Sequence, residues 1–516
     1  MTRASKPLLR VSQWLTTWDI AAWGGNRPKP PSHFYVGALS LKTLRALSGV
    51  QPRTLEDRRS ATKSAGYQRT HDEDRLTKIG RYLEYGFPLS TEKGLDPTAH
   101  TELVNPGWLP TSILVNILGE NESRARKGKD RTVASDDLVR ILSKEAVYEL
   151  DFPVAAFDPS KALPPLEIVD GQHRLLATDL ILLPDDYEVP VVIFENLPLT
   201  WQAYLFWVIN VEPKRINTSL AFDLYPELRD QEWLKRGESI KIYQEHRSQE
   251  LTEVLWRNSA SPWKDRIELF GKRVDGHVSN AAAIRSLMST FVRVWAKGNE
   301  IGVDPDGITR LGGLFGSIDK NGARYIIRWR RPEQAAFLIL CWNAVRAAVE
   351  NSKSQWKFEL AKGSNKGAAE SSAFAFAGPF TLLATDQGFR AICFAYNSLT
   401  QLVYDRIGLL ELEGSEDESD PSEEFVAKAL QQLGSNRSLT KFIDAVARAL
   451  IDDVDWRTAA APGIKENEKI IQGQYRGSSG YKALNKAALL AASKSEDANV
   501  CDAARRALSI LDWGDE

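Results

Sequence analysis

The apolar positions of this chain change period along its length. Residues 34–39 (Phe-Tyr-Val-Gly-Ala-Leu) form a short apolar run that predicts a strand, and residues 41–47 fit a helical turn. Between Asp72 and Tyr85, Leu76, Ile79, Tyr82 and Leu83 fall on one helical face, so this stretch predicts an amphipathic helix. Residues 113–118 are continuously apolar, as in a strand buried on both faces. Residues 147–150, 166–169 and 188–194 predict further strands, and residues 200–208 predict an apolar helix rich in aromatics. A polar break follows at 210–217, and helical spacing resumes at 219–228. Residues 274–295, 333–349, 425–433, 439–454, 481–492 and 498–511 read as helices, and 374–407 as apolar core. An acidic, Ser-rich break separates them at 411–424, a composition that suits a solvated loop.

These elements predict an α+β protein. It has a Trp-rich N-terminal extension (1–33), a mixed α/β domain (34–228), a helical middle region (229–410), the acidic loop and a helical C-terminal region (425–516). A chain of 516 residues exceeds one ordinary core, which agrees with several domains. Hydrophobic content of 43% and charged content of 26% describe a soluble globular protein. The formal charge of −2 argues against a uniformly basic nucleic-acid coat but leaves local patches open. Cys341, Cys393 and Cys501 are far apart and lack metal spacing, which suits a reducing compartment. No run is apolar enough to span a bilayer, and the first residues lack the apolar stretch of a signal peptide. The expectation is a cytoplasmic protein without membrane contact.

The most distinctive string is Asp170-Gly171-Gln172-His173-Arg174, placed between the strand ending near Asp170 and a helix beginning near Gly171. A helix start carries unpaired N–H groups and partial positive charge, where cations are disfavoured. An imidazole and a guanidinium in that place suit an anion, most often phosphate. A plainer reading stands beside it: Asp170 caps the helix and pairs with Arg174 four residues on, and Gly171 relieves a tight turn.

Two further elements flank the string. Gly66-Tyr67-Gln68-Arg69 precedes the helix at 72–85, and Phe206-Trp207-Val208-Ile209-Asn210 follows, with Lys214 and Asn217 beyond. In this order the three resemble the DGQHR-domain family, part of the wider group with a ParB/sulfiredoxin-like fold. That family includes DndB-type regulators of DNA phosphorothioation and DpdB-type proteins of a deazaguanine DNA-modification pathway. The match spans residues 34–228, under half of the chain, and its specificity rests mainly on the five-residue string and the order. The resemblance implies a ParB/sulfiredoxin-like domain that binds and hydrolyses ATP or another nucleoside triphosphate with Mg²⁺. Asp170 would order the metal or a water, and Gly171 would let backbone N–H groups approach phosphate. Gln172 would orient a water, and Arg174 would neutralise phosphate charge. Gln68, Arg69, His173 and Asn210 would complete the nucleotide site, with Asn210 closing it or orienting Arg174. The setting implied is a bacterial DNA-modification or phage-defence system. DNA and a DNA-modifying enzyme would be its partners, and a homo-oligomer is allowed. The alternative is a DndB-like, non-catalytic DNA-binding regulator; a nuclease is a third reading, without a separate acidic cluster to support it.

Other chemistries find less support. No Gly-x-x-x-x-Gly-Lys-Ser/Thr string is present, the six histidines are scattered singly, and no cysteine precedes Cys341 to serve as a sulfiredoxin-type nucleophile. Two basic segments are candidate DNA contacts: Arg124–Arg131, through Arg126, Lys127 and Lys129, and 324–331, through Arg328, Arg330 and Arg331. Taken alone, each reads more readily as a charged, solvated edge, and 124–131 as a basic loop or flap. Residues 474–482, with Gly, hydroxyl and cationic side chains at a helix start, are a further anion candidate or a plain glycine-rich start.

Overall fold

The computed structural model describes residues 2–19, 21, 23, 28–49, 72–126, 129–144, 147–155, 162–210, 222, 240–269, 274–293, 308, 310–315, 329–362, 368–409, 412 and 421–513. The chain divides into two compact units, 1–215 and 216–516. No helix among the described residues is long and apolar enough to cross a membrane.

The first unit is a mixed α/β domain. Its elements in chain order are β1 (Arg3–Ser12), β2 (His33–Ser40), α1 (Leu41–Leu47), β3 (Ser48–Gly49) and α2 (Glu73–Tyr85). β4 (Ile113–Ile117), β5 (Arg124–Arg126), β6 (Lys129–Arg131), β7 (Arg140–Lys144) and β8 (Val147–Pro153) follow. β9 (Leu166–Asp170), α3 (Gln172–Leu176), β10 (Glu188–Glu195) and α4 (Leu199–Asn210) complete it. Eight strands form one sheet in the order β3-β9-β4-β10-β2-β1-β8-β7, and β5 and β6 form a separate hairpin. β4 lies parallel to β10 and antiparallel to β9, with a register shift at Leu114/Val115. Ile113, Val115, Ile117, Val189, Val191, Ile193 and Ile168 are buried in one core with Leu41, Leu44 and Leu47 of α1. This is why these segments alternate or run apolar.

Two elements differ from expectation. Residues 3–12, expected in an extension, form a central strand: Arg3–Leu8 pair with β8 and Leu9–Ser12 with β2. Only Leu8 of this strand is buried, and Pro7 removes a ladder donor, so its pattern carries little strand signal. The segment 124–131, expected as a loop, is the β5–β6 hairpin. The helix expected at 219–228 lies outside the described residues apart from Phe222.

The second unit is largely helical: α5 (Lys241–Arg257), α6 (Asn280–Ser289), α7 (Arg331–Asn351), α8 (Gln355–Lys362), α9 (Ala368–Ala377), α10 (Asp386–Val403), α11 (Glu423–Ser435), α12 (Arg437–Asp453), α13 (Glu466–Gly473), α14 (Gly477–Ala492) and α15 (Ala498–Ile510). A two-strand pair, β11 (Ile267–Glu268) and β12 (Val278–Ser279), precedes α6. The helix expected over 274–295 is therefore shorter: Ser279 ends a strand and caps Ala282 N, and α6 stops at Ser289. α7 and α10 are apolar on most faces because both lie in the core, where Trp342 stacks on Phe389 and meets Trp263 edge-on.

Candidate functional site

The string sits at a sharp strand-to-helix turn. β9 ends at Asp170, and Gly171 adopts φ +97°, a left-handed conformation that glycine enters without steric cost. A Cβ there would lie 3.0 Å from Arg174 Nη2 and 3.1 Å from Ile113 Cγ1, so the position needs glycine for space as well. α3 has only five residues before a tighter turn takes over at 177–180, and Gly171, not Asp170, is its N-cap. So short a helix builds little dipole, which corrects the expectation of a phosphate seat at its N-terminus.

The charges are arranged by side chains instead. Arg174 donates from Nη2 to Asp170 Oδ2 at 3.1 Å, and from Nη1 to the Thr111 carbonyl at 2.5 Å and the Thr111 hydroxyl at 2.6 Å. The i,i+4 pair of the plainer reading is therefore present. Asn210, at the end of α4, donates from Nδ2 to Asp170 Oδ1 at 3.1 Å and to the Phe206 carbonyl at 3.0 Å. Asn210 thus orients Asp170 rather than Arg174. Arg174 and Asp170 are largely buried, with side chains 17% and 18% exposed. Burial pushes the Arg174 guanidinium below its ordinary value, Asp170 opposes that shift, and the charge of Arg75 adds to it.

Arg75, a residue that sequence reasoning passed over, lies in the first turn of α2, capped by Asp72 Oδ1 on Arg75 N. Its guanidinium is exposed and makes no ion pair or hydrogen bond among the described residues. Its signal in the sequence was the amphipathic helix itself, since α2 packs on α3 and carries Arg75 to that contact. Arg75 is thus near enough to Arg174 to act on its charge, with Asp72, Glu73 and Asp74 beside it in the same turn. Gln172 is buried and His173 half-buried within the string. Gln68 and Arg69 lie outside the described residues.

Asp170 commits one oxygen to Arg174 and the other to Asn210. Among the described residues no group of three or more His, Cys, Asp or Glu side chains is placed to hold a metal ion. The carboxylate to which the resemblance assigns Mg²⁺ is the one that accepts from Arg174 and Asn210.

Three residues before Asp170 on the same strand, Glu167 forms a buried cluster. Arg124 donates to it from Nε at 2.8 Å and from Nη2 at 3.0 Å, and Gln202 Nε2 donates at 3.1 Å. Arg124 also reaches Glu122 at 2.7 Å. Burial works against the Arg124 charge, but Glu167 and Glu122 outweigh it and hold its pKa above the ordinary value. Arg124, in the first basic segment, is thereby inside the fold and not a nucleic-acid contact. Arg126 and Lys129 are paired across the hairpin, and Lys127 lies outside the described residues.

In the second basic segment Arg328 lies outside the described residues. Arg330 bonds Glu333, and Arg331 Nη1 bonds Glu250 Oε1 at 3.0 Å. Both carboxylates are buried, and Trp329 belongs to the core. The expectation that Arg330 and Arg331 present charge to DNA is corrected: they neutralise the interior at the start of α7. At 474–482 the plain reading fits, since Tyr481 is held by Asp386 Oδ2 at 2.5 Å and covered by the Arg390 guanidinium 3.9 Å from its ring centre.

Compared with family models, curated proteins and solved structures, the chain matches none.

Proposed function

We propose that the sheet domain binds a nucleoside triphosphate, with ATP the first candidate, through the guanidiniums of Arg174 and Arg75, and turns it over in support of work on DNA. The observation that carries the binding is the nearness of two guanidiniums, one of them held in place. Arg174 is fixed by Asp170 and Thr111, and the exposed Arg75 is near enough to act on its charge. A guanidinium already held in place needs little reorganisation when a polyphosphate arrives. The catalytic parts given to Gln172 and Arg174, and the setting in DNA modification or phage defence with a modifying enzyme as partner, rest on the resemblance of residues 170–174 and their flanks.

A second reading is favoured by a different observation, the full engagement of Asp170. A carboxylate that locks an arginine suits a non-catalytic, DndB-like regulator whose guanidiniums meet DNA backbone phosphates. Phosphate release from ATP, GTP, CTP and UTP, with and without DNA, separates the two. Turnover by the wild type, lost in Arg174→Ala, supports the first. DNA binding that falls in Arg174→Ala, with no turnover of any nucleotide, replaces it with the second. For the nucleotide itself, Arg174→Ala is expected to weaken binding roughly 10- to 100-fold, the range of a hydrogen bond to a charged group.

A further inference from the structure

We infer that the cavity beside Trp108 receives the base of the nucleotide whose phosphates meet Arg75 and Arg174; this rests on the nucleotide reading above. The cavity, of about 440 Å³, falls within the size range of small-molecule sites. Leu83, Val104, Pro106 and Trp108 supply its apolar walls, and Glu84 and Asn105 its polar groups. Trp108 is 73% exposed, which is unusual for an indole, and it offers a face for stacking.

Two segments tie this cavity to the guanidinium pair. Tyr82 follows Arg75 by about 10 Å along the axis of α2, and the cavity-lining Leu83 and Glu84 come directly after it. The Tyr82 hydroxyl donates to the Trp108 carbonyl at 2.9 Å. Gly107 is pressed so closely on α2 that a Cβ would lie 2.0 Å from the Tyr82 carbonyl, and its own carbonyl accepts from Tyr187 Oη at 2.9 Å. Three residues beyond Trp108, a span of at most about 10 Å, Thr111 holds Arg174. The aromatic platform and the two guanidiniums are therefore carried by the same two segments, each within roughly 10 Å along the chain, a span within reach of one nucleotide.

The polar groups suggest a selection among bases. The Glu84 carboxylate lines the cavity and is an acceptor there. An acceptor there favours a base with an exocyclic amine (adenine, cytosine or guanine) over uracil, which has none.

The test is equilibrium binding of ATP, UTP and inorganic tripolyphosphate to the full chain, in wild type, Trp108→Ala, Trp108→Phe, Glu84→Gln and Arg174→Ala. Trp108→Ala is expected to weaken ATP about tenfold, at the lower end of one base–aromatic stack, and to leave tripolyphosphate unchanged. Trp108→Phe should retain most ATP affinity, ATP should outbind UTP, and Glu84→Gln should narrow that gap. Loss of ATP and tripolyphosphate binding together in Trp108→Ala would overturn the base assignment. So would unchanged ATP binding in Trp108→Ala when Arg174→Ala weakens it; the phosphate reading would then stand alone. Absence of both ATP and tripolyphosphate binding in the wild type would remove both.

Discussion

Replacing Gly171 by alanine tests the geometry of the string at its tightest point. Two penalties add. The first is the backbone, because an L-residue held at φ +97° costs about 1–2 kcal/mol. The second is contact. Ile113 is fully buried in β4 between two neighbouring strands and has no room to move, so the 3.1 Å approach must be relieved elsewhere. Arg174 Nη2, at 3.0 Å, is the end of a flexible side chain and gives way, which loosens its bond to Asp170 and removes about 1 kcal/mol. The expected loss is about 2–3 kcal/mol, or roughly 5–10 °C in the melting of a unit of this size. Scanning calorimetry resolves the two units if they melt separately, and hydrogen exchange at β4 and β9 localises the change. Gly171→Asn should recover part of the backbone penalty, since Asn enters the left-handed region more readily, but none of the contact penalty. An alanine variant within about 0.5 kcal/mol of wild type, with unchanged nucleotide affinity, would refute both the steric and the electrostatic account.

The buried pair on the same strand offers a second test: Arg124→Met should destabilise the sheet domain by about 3–5 kcal/mol in urea titrations, by leaving Glu167 charged and nearly alone. The double variant Arg124→Met, Glu167→Leu should recover most of that loss, and failure to recover would show that packing, not charge, governs the site. In the helical unit, burial, aided by the bond to Asp386, pushes the Tyr481 pKa up to about 12. The folded state then holds this proton more tightly than the unfolded chain, so the associated stability is present below pH 10 and lost as pH rises toward 12. Tyr481→Phe should flatten the stability profile in that window. Asn436 caps α12 by accepting from Leu439 N at 3.0 Å, and Asn436→Ala should lower stability by about 1 kcal/mol; no change in the melting of the helical unit would count against that role.

Much of this architecture was legible because burial and pattern agree. β2, β4, β9 and β10, together with α2, α7, α12 and α15, lie where apolar periodicity placed them. Legibility failed where burial is polar. α5 contains His246, Arg247, Ser248, Gln249, Glu250 and Thr252, all buried, and its periodicity is correspondingly weak. Charges there are answered by distant residues, as Arg247 is by the Phe315 carbonyl and Glu250 by Arg331. The same distance hid the fate of Arg124, Arg330 and Arg331: a cluster of cations in sequence looks like a surface until the carboxylates that pair with it are known. Of the candidate site, residues 170–174 and Asn210 could be read as a group, but the role of Thr111 could not, because a threonine 63 residues from Arg174, meeting it through carbonyl and hydroxyl, carries no local signature.

The position of those partners also settles why a guanidinium stands at a helix start. Arg174 does not face the helix dipole as an isolated cation, because α3 is too short to impose much of one and the side chain turns back to Asp170 and Thr111. Asp170 in turn is held by Asn210 from α4, so three segments of the sheet domain converge on one ion pair. Within that cluster the carboxylate positions Arg174, and Arg75 stands outside it as the guanidinium that nothing among the described residues holds. Arg75 is also the member with no protein partner among the described residues, exposed and mounted on the helix that leads to Trp108. Substituting Arg75 should therefore reduce anion affinity with little effect on stability, whereas substituting Asp170 should disturb both. Such a split between affinity and stability is what the proposed anion site predicts and what a purely structural turn does not.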